Sequence, residues 1–316
     1  MSLINKKIII TGGAGFIGSH LVDKLCDQNK VTVIDNFSRG NHVNPKASIF
    51  QADLSSSDFK DYIFDGADIV FHLASSVGSY HFYEKKSLEV LVNNTKIDYN
   101  VFQSVEKYNI PKLFYASSSH VYPKSLQKTL NAAPLKEENA YPADPSLSYG
   151  WNKLSSEKYL SYCKGNFKYA IARYNGIYGP RQSTDLKNGS IIPVLIERAK
   201  KYPETEYTIL TKGEEKRAFC YIDDAVEATI RMVEFLDHND YLGPLNIGHP
   251  DPVSILDLAT LIKNNINSNI KLNINNQPIN PEILCQYCDC SLAKEKINWS
   301  ANISLVDGLN LIINQK

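Results

Sequence analysis

A glycine-rich segment near the start of the chain constrains the fold more than any other feature. The apolar residues Lys7–Thr11 lead directly into Gly12-Gly13-Ala14-Gly15-Phe16-Ile17-Gly18, which opens an amphipathic stretch. In this spacing Gly12 permits a tight turn, Gly15 lets backbone N–H groups approach an anion, and Gly18 permits close packing of helix and strand. The N-terminus of the following helix also favours negative charge. The sequence therefore predicts a strand, a phosphate-binding loop and a helix in succession, as in folds that bind dinucleotides.

An acidic residue ends the next predicted strand. Asp35, followed by Asn36, closes the apolar stretch Lys30–Asp35. A carboxylate at this position can bind both hydroxyls of a ribose and would repel a 2′-phosphate, so we expect NAD rather than NADP as the cofactor. Arg39 is the one feature that favours NADP, and we interpret it as a solvated loop residue.

Short apolar runs alternate with amphipathic runs in the first half of the chain, which predicts an α/β fold with a parallel sheet and helices on both faces. The predicted strands are Lys7–Thr11, Lys30–Asp35, Ile49–Ala52, Asp68–Leu73, Lys112–Ser118 and Tyr169–Tyr174. The predicted helices are Phe16–Asp27, Leu88–Tyr108, Ser148–Cys163, Ile191–Lys201, Ala225–Leu236 and Ile255–Ile266. The pattern loosens after about Tyr174. We therefore expect a Rossmann-type domain at 1–174, with 218–245 packed back onto it, and a smaller mixed C-terminal domain at 175–316.

Positive and negative charges balance over the whole chain. The 34 Lys and Arg residues stand against 34 Asp and Glu residues, which gives a formal net charge of +0. This composition lacks the basic surplus of a nucleic-acid-binding protein, and no apolar run approaches the roughly 18 residues of a membrane span. Six cysteines are too few for a disulfide scaffold. We expect a cytoplasmic protein whose partners are small molecules, not nucleic acids or membranes.

A tyrosine and a lysine four residues apart lie at the start of the helical pattern Ser148–Cys163. At this spacing Tyr149 and Lys153 share one helix face. An unperturbed tyrosine has a pKa of about 10 and is a poor base at neutral pH. The positive charges of Lys153 and of an oxidised nicotinamide would stabilise the phenolate. We therefore predict that Tyr149 transfers a proton and that Lys153 activates it.

Hydroxyl side chains end the predicted strand Lys112–Ser118, and ligands bind at the carboxyl ends of parallel strands. In an extended segment Ser118, His120 and Tyr122 would point to the same side. Ser118 is then placed to hydrogen-bond a substrate hydroxyl while Tyr149 removes its proton. A polar turn that leaves the sheet is the alternative interpretation of these serines.

Together these segments resemble the extended short-chain dehydrogenase/reductase family, which includes NAD-dependent sugar-nucleotide epimerases and dehydratases. The resemblance spans nearly the whole chain and rests on TGGAGFIGSHLVD, VIDNFSRG, YASSSHVY, YGWNK, ARYNGIYGPRQ, KRAFCYIDDAVEA and PLNIGHP. It implies a Rossmann domain that binds NAD and a C-terminal domain that binds a UDP- or GDP-linked sugar. It also implies transient oxidation of a sugar hydroxyl, at C4, to a ketone. We expect a homodimer formed through the helices around 88–108 and 148–163.

The resemblance implies a role for each residue at a matching position. Its catalytic residues would be Ser118, His120, Tyr149 and Lys153. Its cofactor-binding residues would be Gly12, Gly15, Phe16, Ile17, Gly18, Asp35, Asn36, Asp53, Leu54, Leu73, Ala74, Asn94, Tyr149 and Lys153. Its substrate contacts would be Ser118, Ser119, Asn175 and Arg217, and no metal is expected.

Within the family, the nearest pattern is that of the GDP-mannose 3,5-epimerases, with departures. The two positions that supply acid and base in that subgroup hold His120, which can exchange protons, and Ile191, which cannot; Lys187 lies nearby. The 4,6-dehydratases have an Asp–Glu pair at Ser119 and His120, and UDP-glucuronate decarboxylases have Glu at His120. Dehydration and decarboxylation are therefore less favoured alternatives. Net reduction and a catalytically silent NAD-binding regulator also stay open.

Several other features receive a minor or structural interpretation. Asn175 stands one place earlier than the family asparagine, and the segment from Leu284 to Cys290 lacks the arginines that bind pyrophosphate in the family. The three cysteines of that segment lack the paired ligands of a tetrahedral metal site, so we interpret them as neutral thiols. His72 matches a structural histidine of the family. The aromatic run Tyr80–Tyr83 is either pocket wall or part of a substrate loop.

Overall fold

A parallel sheet of seven strands is the centre of the fold in the computed structural model, which describes residues 3–78, 83, 85–186 and 189–314. The strands, in chain order, are β1 (Lys7–Thr11), β2 (Lys30–Asp35), β3 (Ser48–Gln51), β4 (Ile69–His72), β5 (Lys112–Ser118), β6 (Lys168–Tyr174), β7 (Ile177–Tyr178), β8 (Thr208–Ile209), β9 (Lys216–Ala218), β10 (Cys220–Tyr221), β11 (Tyr241–Ile247), β12 (Pro252–Ser254), β13 (Asn273–Ile274) and β14 (Cys285–Gln286). The order in the large sheet is β11-β6-β5-β4-β1-β2-β3, and every neighbouring pair is parallel. The predicted Rossmann-type sheet is confirmed, and β1, β2 and β5 have the predicted limits.

Both faces of this sheet are buried. Ile10 of β1 and Phe71 of β4 pack into one apolar cluster, whereas Ile9 and Val70 pack into the cluster on the opposite face. A strand that is covered on both sides needs apolar side chains at successive positions, not at alternate ones. This requirement explains the near-continuous apolar runs that made the strands recognisable in the sequence.

Helices cover the two faces. Their limits are α1 (Phe16–Leu25), α2 (Ser87–Lys107), α3 (Ser148–Leu160), α4 (Ile191–Lys200), α5 (Ile222–Phe235), α6 (Ile255–Ile266), α7 (Ser291–Ile297) and α8 (Leu305–Ile313). Helices α1 and α5 pack on one face of the sheet, and α2 packs on the other. Helix α6 has the predicted limits, but α5 begins earlier than the predicted Ala225. The reason is that Asp223 and Asp224 lie in its first turn, where carboxylates interact favourably with the helix dipole.

Short strands form small sheets in the part of the chain beyond β6. Strand β9 pairs antiparallel with β12 and parallel with β14, so this small sheet is mixed, as expected. Two further pairs join β7 to β10 and β8 to β13. After β10 the chain returns to the large sheet, where β11 pairs with β6 at one edge. None of the helices in the described ranges combines the length and apolar character needed to cross a bilayer.

Candidate active site

The glycine-rich loop lies at the carboxyl end of β1 and packs tightly against its surroundings. Gly12 has a φ of +70°, and a Cβ atom on it would lie 2.8 Å from the backbone nitrogen of Ala74. A Cβ atom on Gly18 would lie 2.1 Å from the carbonyl oxygen of Gly12, so α1 can approach the loop only without a side chain there. Gly15 immediately precedes α1, whose first turn contains Phe16 and Ile17. The N–H groups of a first turn have no partner within the helix and can bind an anion.

Asp35 lies beside this loop at the carboxyl end of β2. Its carboxylate accepts hydrogen bonds from the backbone N–H groups of Ala14, at 3.0 Å, and Phe37, at 2.8 Å. The next residue, Asn36, accepts one from the N–H of Ser38 at 3.0 Å. Arg39 is exposed, as expected for a solvated residue, and its guanidinium also donates to the carbonyl of Val77. The geometry thus brings the predicted ribose-binding carboxylate to the glycine-rich loop.

The predicted adenine contacts lie on the loop after β3. Asp53 accepts hydrogen bonds from the N–H and the hydroxyl of Ser55, at 2.9 and 2.7 Å. Leu54 is buried in the apolar cluster on the α2 face of the sheet. This loop therefore has a fixed conformation at the same edge of the sheet as Asp35.

The predicted cofactor contacts Leu73 and Ala74 follow β4, at the same edge of the sheet as Asp35. The N–H of Leu73 donates to the carbonyl of Thr11, and the N–H of Ala74 donates to the Thr11 hydroxyl at 3.2 Å. Asn94, on α2, accepts from the N–H of Ser76 at 2.6 Å and donates to its carbonyl at 3.1 Å. Asn94 thereby fixes the loop that follows Ala74. Its described side-chain hydrogen bonds are with this loop.

Ser118, Tyr149 and Lys153 come together where β5 ends and α3 begins. The Ser118 hydroxyl lies near the Tyr149 phenol and favours its charged form. The ammonium of Lys153 lies 5.8 Å from the centroid of the Tyr149 ring. On the other side, the ring of Tyr83 stacks on that of Tyr149 with a centroid distance of 5.1 Å. The proximity that a separation of four residues predicts for Tyr149 and Lys153 is present.

His120 belongs to the same cluster, but it reaches the cluster through a turn and not through an extended strand. Residues Ser119–Val121 form a turn of 3-10 helix, and the Ser118 hydroxyl accepts a hydrogen bond from the N–H of His120. The expectation that Ser118, His120 and Tyr122 point the same way is therefore wrong for Tyr122, because the extended conformation ends at Ser118. His120 Nδ1 lies 3.0 Å from Ser118 Oγ, and its ring meets the Tyr149 ring edge-on. Tyr122 instead points away and donates to Asn246.

Burial dominates the electrostatics of this cluster. Burial raises the pKa of Tyr149 well above its ordinary value, although the hydrogen bond with Ser118 opposes this change. Burial also lowers the pKa of Lys153, against the charges of Asp98 and Glu157. The pKa of His120 is lowered to about 4 by burial and by the charge of Arg217. His120 is therefore a neutral imidazole at physiological pH.

The predicted substrate residues line different parts of the region around His120. Ser119 is buried in the turn after β5. Arg217 donates to the carbonyls of Lys216 and Ile283, at 2.8 and 2.9 Å, so these bonds fix its guanidinium. Asn175 is buried after β6, where its N–H donates to the carbonyl of Ile247 at 2.9 Å.

Five buried polar side-chain atoms have no hydrogen-bond partner in the described part of the chain, and three of them lie near the carboxyl ends of the strands or beside Tyr149. These three are Ser75 Oγ, Ser148 Oγ and Asn175 Oδ1. Buried polar atoms in proteins are normally hydrogen-bonded, and these three follow β4, precede Tyr149 and follow β6. Together with the first-turn N–H groups of α1, these atoms suit a ligand rich in hydroxyl and phosphate groups. The residues present therefore fit a dinucleotide and a polar second ligand.

Sequence reasoning missed one buried polar group at this site. Asp98, on α2, accepts hydrogen bonds beneath Tyr149 and Lys153. Asn94 and Asp98 are one helical turn apart on the buried face of an amphipathic helix, and this spacing was the available signal. The predicted Tyr80, His81, Phe82 and Lys187 lie outside the described residues. Within the described ranges no group of three or more His, Cys, Asp or Glu side chains is arranged to hold a metal ion.

Comparisons with known proteins agree with this geometry. Residues 8–248 match the model of the NAD dependent epimerase/dehydratase family. The chain is 29% identical to GDP-mannose 3,5-epimerase of Arabidopsis thaliana over 97% of this chain and 81% of that protein. It is 30% identical to UDP-glucuronic acid decarboxylase 6 of the same plant over 98% and 88%. The structure of UDP-glucose 4-epimerase from Thermotoga maritima, determined with UDP-glucose, has a TM-score of 0.86 and 27% identity, with 97% of each chain covered. The chain belongs to the NAD-dependent epimerase/dehydratase family.

Proposed function

We propose that this protein is an NAD-dependent epimerase of nucleoside-diphosphate sugars that transiently oxidises a sugar hydroxyl, at C4, to a ketone. The observation that carries the proposal is the cluster of Ser118, Tyr149 and Lys153 at the carboxyl end of β5, beside the glycine-rich loop. Ligands of open α/β sheets bind at this edge. Epimerases of UDP-glucose and GDP-mannose among the relatives support the same activity.

The residues of the first turn of α1 and its preceding loop would hold the pyrophosphate of NAD. Asp35 and Asn36 would contact the adenine ribose, and Asp53 and Leu54 the adenine. Leu73 and Ala74 would line the cofactor groove, with Asn94 behind them. A bound NAD would supply reversible hydride acceptance, which would leave no net oxidation of the sugar.

Tyr149 would remove the proton of the sugar hydroxyl. Its buried phenol has a raised pKa, so the phenolate needs nearby positive charge. Lys153 would supply that charge from the next turn of α3. Ser118, which lies near Tyr149, would orient the sugar hydroxyl toward the phenolate.

His120 favours a second route to inversion at a neighbouring carbon. A ketone acidifies the carbon atoms next to it, and a neutral imidazole in the same cluster can take a carbon-bound proton. This route is the one expected of a 3,5-epimerase. Dehydration and decarboxylation are less favoured, because Ser119 and His120 provide no carboxyl group. An intact Ser118, Tyr149 and Lys153 cluster argues against a silent regulator.

We propose residues 175–316 as the part that binds the sugar nucleotide, UDP- or GDP-linked. Arg217 would bind the diphosphate, and Asn175 and Ser119 would contact the sugar. The segment around Cys285 and Cys288 packs against Arg217 through β9 and β14 but supplies no arginine. We therefore expect phosphate binding to depend strongly on Arg217.

We also propose a homodimer formed through α2 and α3. Large apolar side chains are exposed on these two packed helices; they are Leu88, Val92, Tyr99, Trp151 and Tyr159. Exposed apolar groups on adjacent helices favour a helix-bundle contact with a second copy. All six cysteines are free thiols, which supports a cytoplasmic location.

The decisive experiment is turnover of UDP- and GDP-sugars in deuterated water, followed by NMR. Inversion at C4 without deuterium incorporation supports return of the hydride, whereas deuterium at C3 or C5 supports proton removal from carbon. His120→Gln should abolish deuterium incorporation and leave oxidation of the sugar intact. Tyr149→Phe should abolish all turnover while NAD still binds; retained turnover would disprove its role as the base. Failure of every sugar nucleotide to bind or react would favour the regulator.

A further inference from the structure

A buried carboxylate lies directly beneath the proposed catalytic residues. Asp98 is 1% exposed and accepts hydrogen bonds from four side chains. The donors come from β4, β5 and α3; they are His72 Nε2 at 3.0 Å, the Tyr115 hydroxyl at 3.1 Å, Asn152 Nδ2 at 3.1 Å and the Ser156 hydroxyl at 2.6 Å. An ionised carboxylate is an acceptor only, so four donors match its charged form.

The hydrogen bonds around His72 fix the direction of each proton. The Thr11 hydroxyl accepts from the N–H of Ala74 and can therefore donate to His72 Nδ1, 2.7 Å away. His72 then carries its proton on Nε2 and donates to Asp98. Burial lowers the pKa of His72 despite its contact with Asp98, so the imidazole is neutral. His72 therefore leaves the negative charge of Asp98 uncompensated.

The compensating positive charge is that of Lys153, and the Tyr115 ring connects it with Asp98. The ammonium of Lys153, which is 2% exposed, lies 4.6 Å from the centroid of the Tyr115 ring. The hydroxyl of the same ring donates to Asp98. Tyr115 thus contacts the cation with its face and the anion with its hydroxyl, and a cation over an aromatic face is attracted to it.

We propose that Asp98 is the buried counter-anion of Lys153, coupled to it through Tyr115, and that it is a positioning residue for proton transfer by Tyr149. The proposal rests on the proposed roles of Tyr149 and Lys153. A lysine buried to this degree would favour its neutral form unless an anion is close. Asp98 keeps the ammonium charged, and the ammonium stabilises the phenolate of Tyr149.

The other groups that face this pair do not replace Asp98. Glu157 supports the charge of Lys153 more weakly than Asp98 does, and its carboxylate is already paired with Arg173 at 2.7 Å. Asp98 also opposes the phenolate of Tyr149 directly, but this is the smallest influence on that phenol. The remaining facing groups, from β1, β4, β5 and α3, are neutral; they are Thr11, His72, Tyr115, Asn152 and Ser156.

Asp98→Asn isolates the charge, because the network can adapt to an amide. The amide nitrogen can face His72, whose tautomer can change so that Nε2 accepts and Nδ1 donates to Thr11. The amide oxygen still accepts from the three donors on the opposite side. Ser156→Ala is the matched control, since it removes one hydrogen bond to Asp98 and leaves both charges in place.

The first test is a double-mutant cycle measured by urea unfolding of the full chain, with and without added NAD. Removing one member of a buried charge pair is costly, whereas removing both is much less so. Asp98→Asn should therefore lower the unfolding midpoint, and should lower it by less than half as much when Lys153→Met is also present. If Asp98→Asn alone does not fold, the double variant should. Equal losses in both backgrounds, or a double variant that stays unfolded, would overturn the proposal.

The second test is the pH dependence of turnover. In Asp98→Asn, Lys153 loses its proton at lower pH and no longer stabilises the phenolate of Tyr149. The pKa of Tyr149 then rises, so the acid limb of kcat should shift to higher pH by at least one unit. Ser156→Ala should leave that limb in place. If Asp98→Asn is active and its acid limb is unchanged, Asp98 has only a structural role and the proposal is overturned. The unfolding cycle needs no substrate, so it decides the proposal even if the proposed epimerase activity is wrong.

Discussion

Gly15, which precedes α1, and Gly18, in its first turn, should have different effects when each is replaced by alanine. A Cβ atom at Gly18 would lie 2.1 Å from the carbonyl oxygen of Gly12, so loop and helix must separate by more than about 1 Å to reach an ordinary contact. Overpacking of this kind costs about 1–3 kcal/mol. At Gly15 the corresponding distance is 3.2 Å and φ is −76°, a value that alanine adopts without strain. Gly15→Ala should therefore leave the stability of the protein within about 0.5 kcal/mol of the wild type.

For NAD affinity the larger loss is expected in Gly15→Ala, whereas for stability it is expected in Gly18→Ala. The proposed role of Gly15 is to let the pyrophosphate approach the backbone, so a methyl group there would displace the anion. Loss of one charge-assisted hydrogen bond costs about 1.5–3 kcal/mol, which corresponds to a roughly 10- to 150-fold weaker affinity for Gly15→Ala. Urea unfolding without NAD and titration calorimetry with NAD provide the two measurements. Equal destabilisation by both variants, or wild-type affinity in Gly15→Ala, would refute the reasoning.

Three other predictions concern charge, packing and assembly. The pKa of His120 is lowered from 6.5 to about 4, so the unfolded chain binds more protons between these values; stability should fall by up to about 3 kcal/mol as the pH drops through this window. His120→Gln should flatten that decline in urea unfolding at pH 4 to 7, and an unchanged slope would assign it to other groups. Glu157→Gln should cost about 3 kcal/mol in the same assay, because it leaves the buried guanidinium of Arg173 without its partner; a loss below 1 kcal/mol would contradict this. Tyr99→Glu combined with Tyr159→Glu should convert the expected dimer to a monomer in analytical ultracentrifugation, and a wild-type monomer would disprove the interface.

The strand, loop and helix around the glycines were predictable because each residue acts on its immediate neighbours. Gly12 needs a positive φ, Gly18 needs space for a carbonyl oxygen, and Asp35 ends a strand in the same local unit. The burial of both sheet faces makes the strands near-continuously apolar, so their limits also follow from short sequence windows. The nucleotide-binding half of the fold is encoded locally.

The turn after β5 was mispredicted because two local preferences compete there. Alternation assumes an extended chain, but a serine hydroxyl can bind the N–H two residues later and close a turn. Ser118 does so with His120, and the alternative interpretation of the serines as a polar turn applies to residues 119–121. As a result, His120 joins the Tyr149 cluster and Tyr122 leaves it.

The importance of Asp98 could not be predicted from its neighbours in sequence. Its partners are 26, 54 and 58 residues away in the cases of His72, Asn152 and Ser156. They meet only after β4 and β5 pair and α3 packs against α2. A charged residue on the apolar face of a helix signals burial, but its partners are specified by the tertiary fold.

The late return of β11 to the sheet has a consequence for synthesis of the chain. Strand β6 pairs with β11 along one edge, yet the whole segment from β7 to the end of α5 is translated between them. Until Ile247 leaves the ribosome, β6 is an unprotected edge strand, and open edges of this kind template aggregation. Translation that pauses in the intervening segment therefore prolongs the interval in which this edge can pair with another chain.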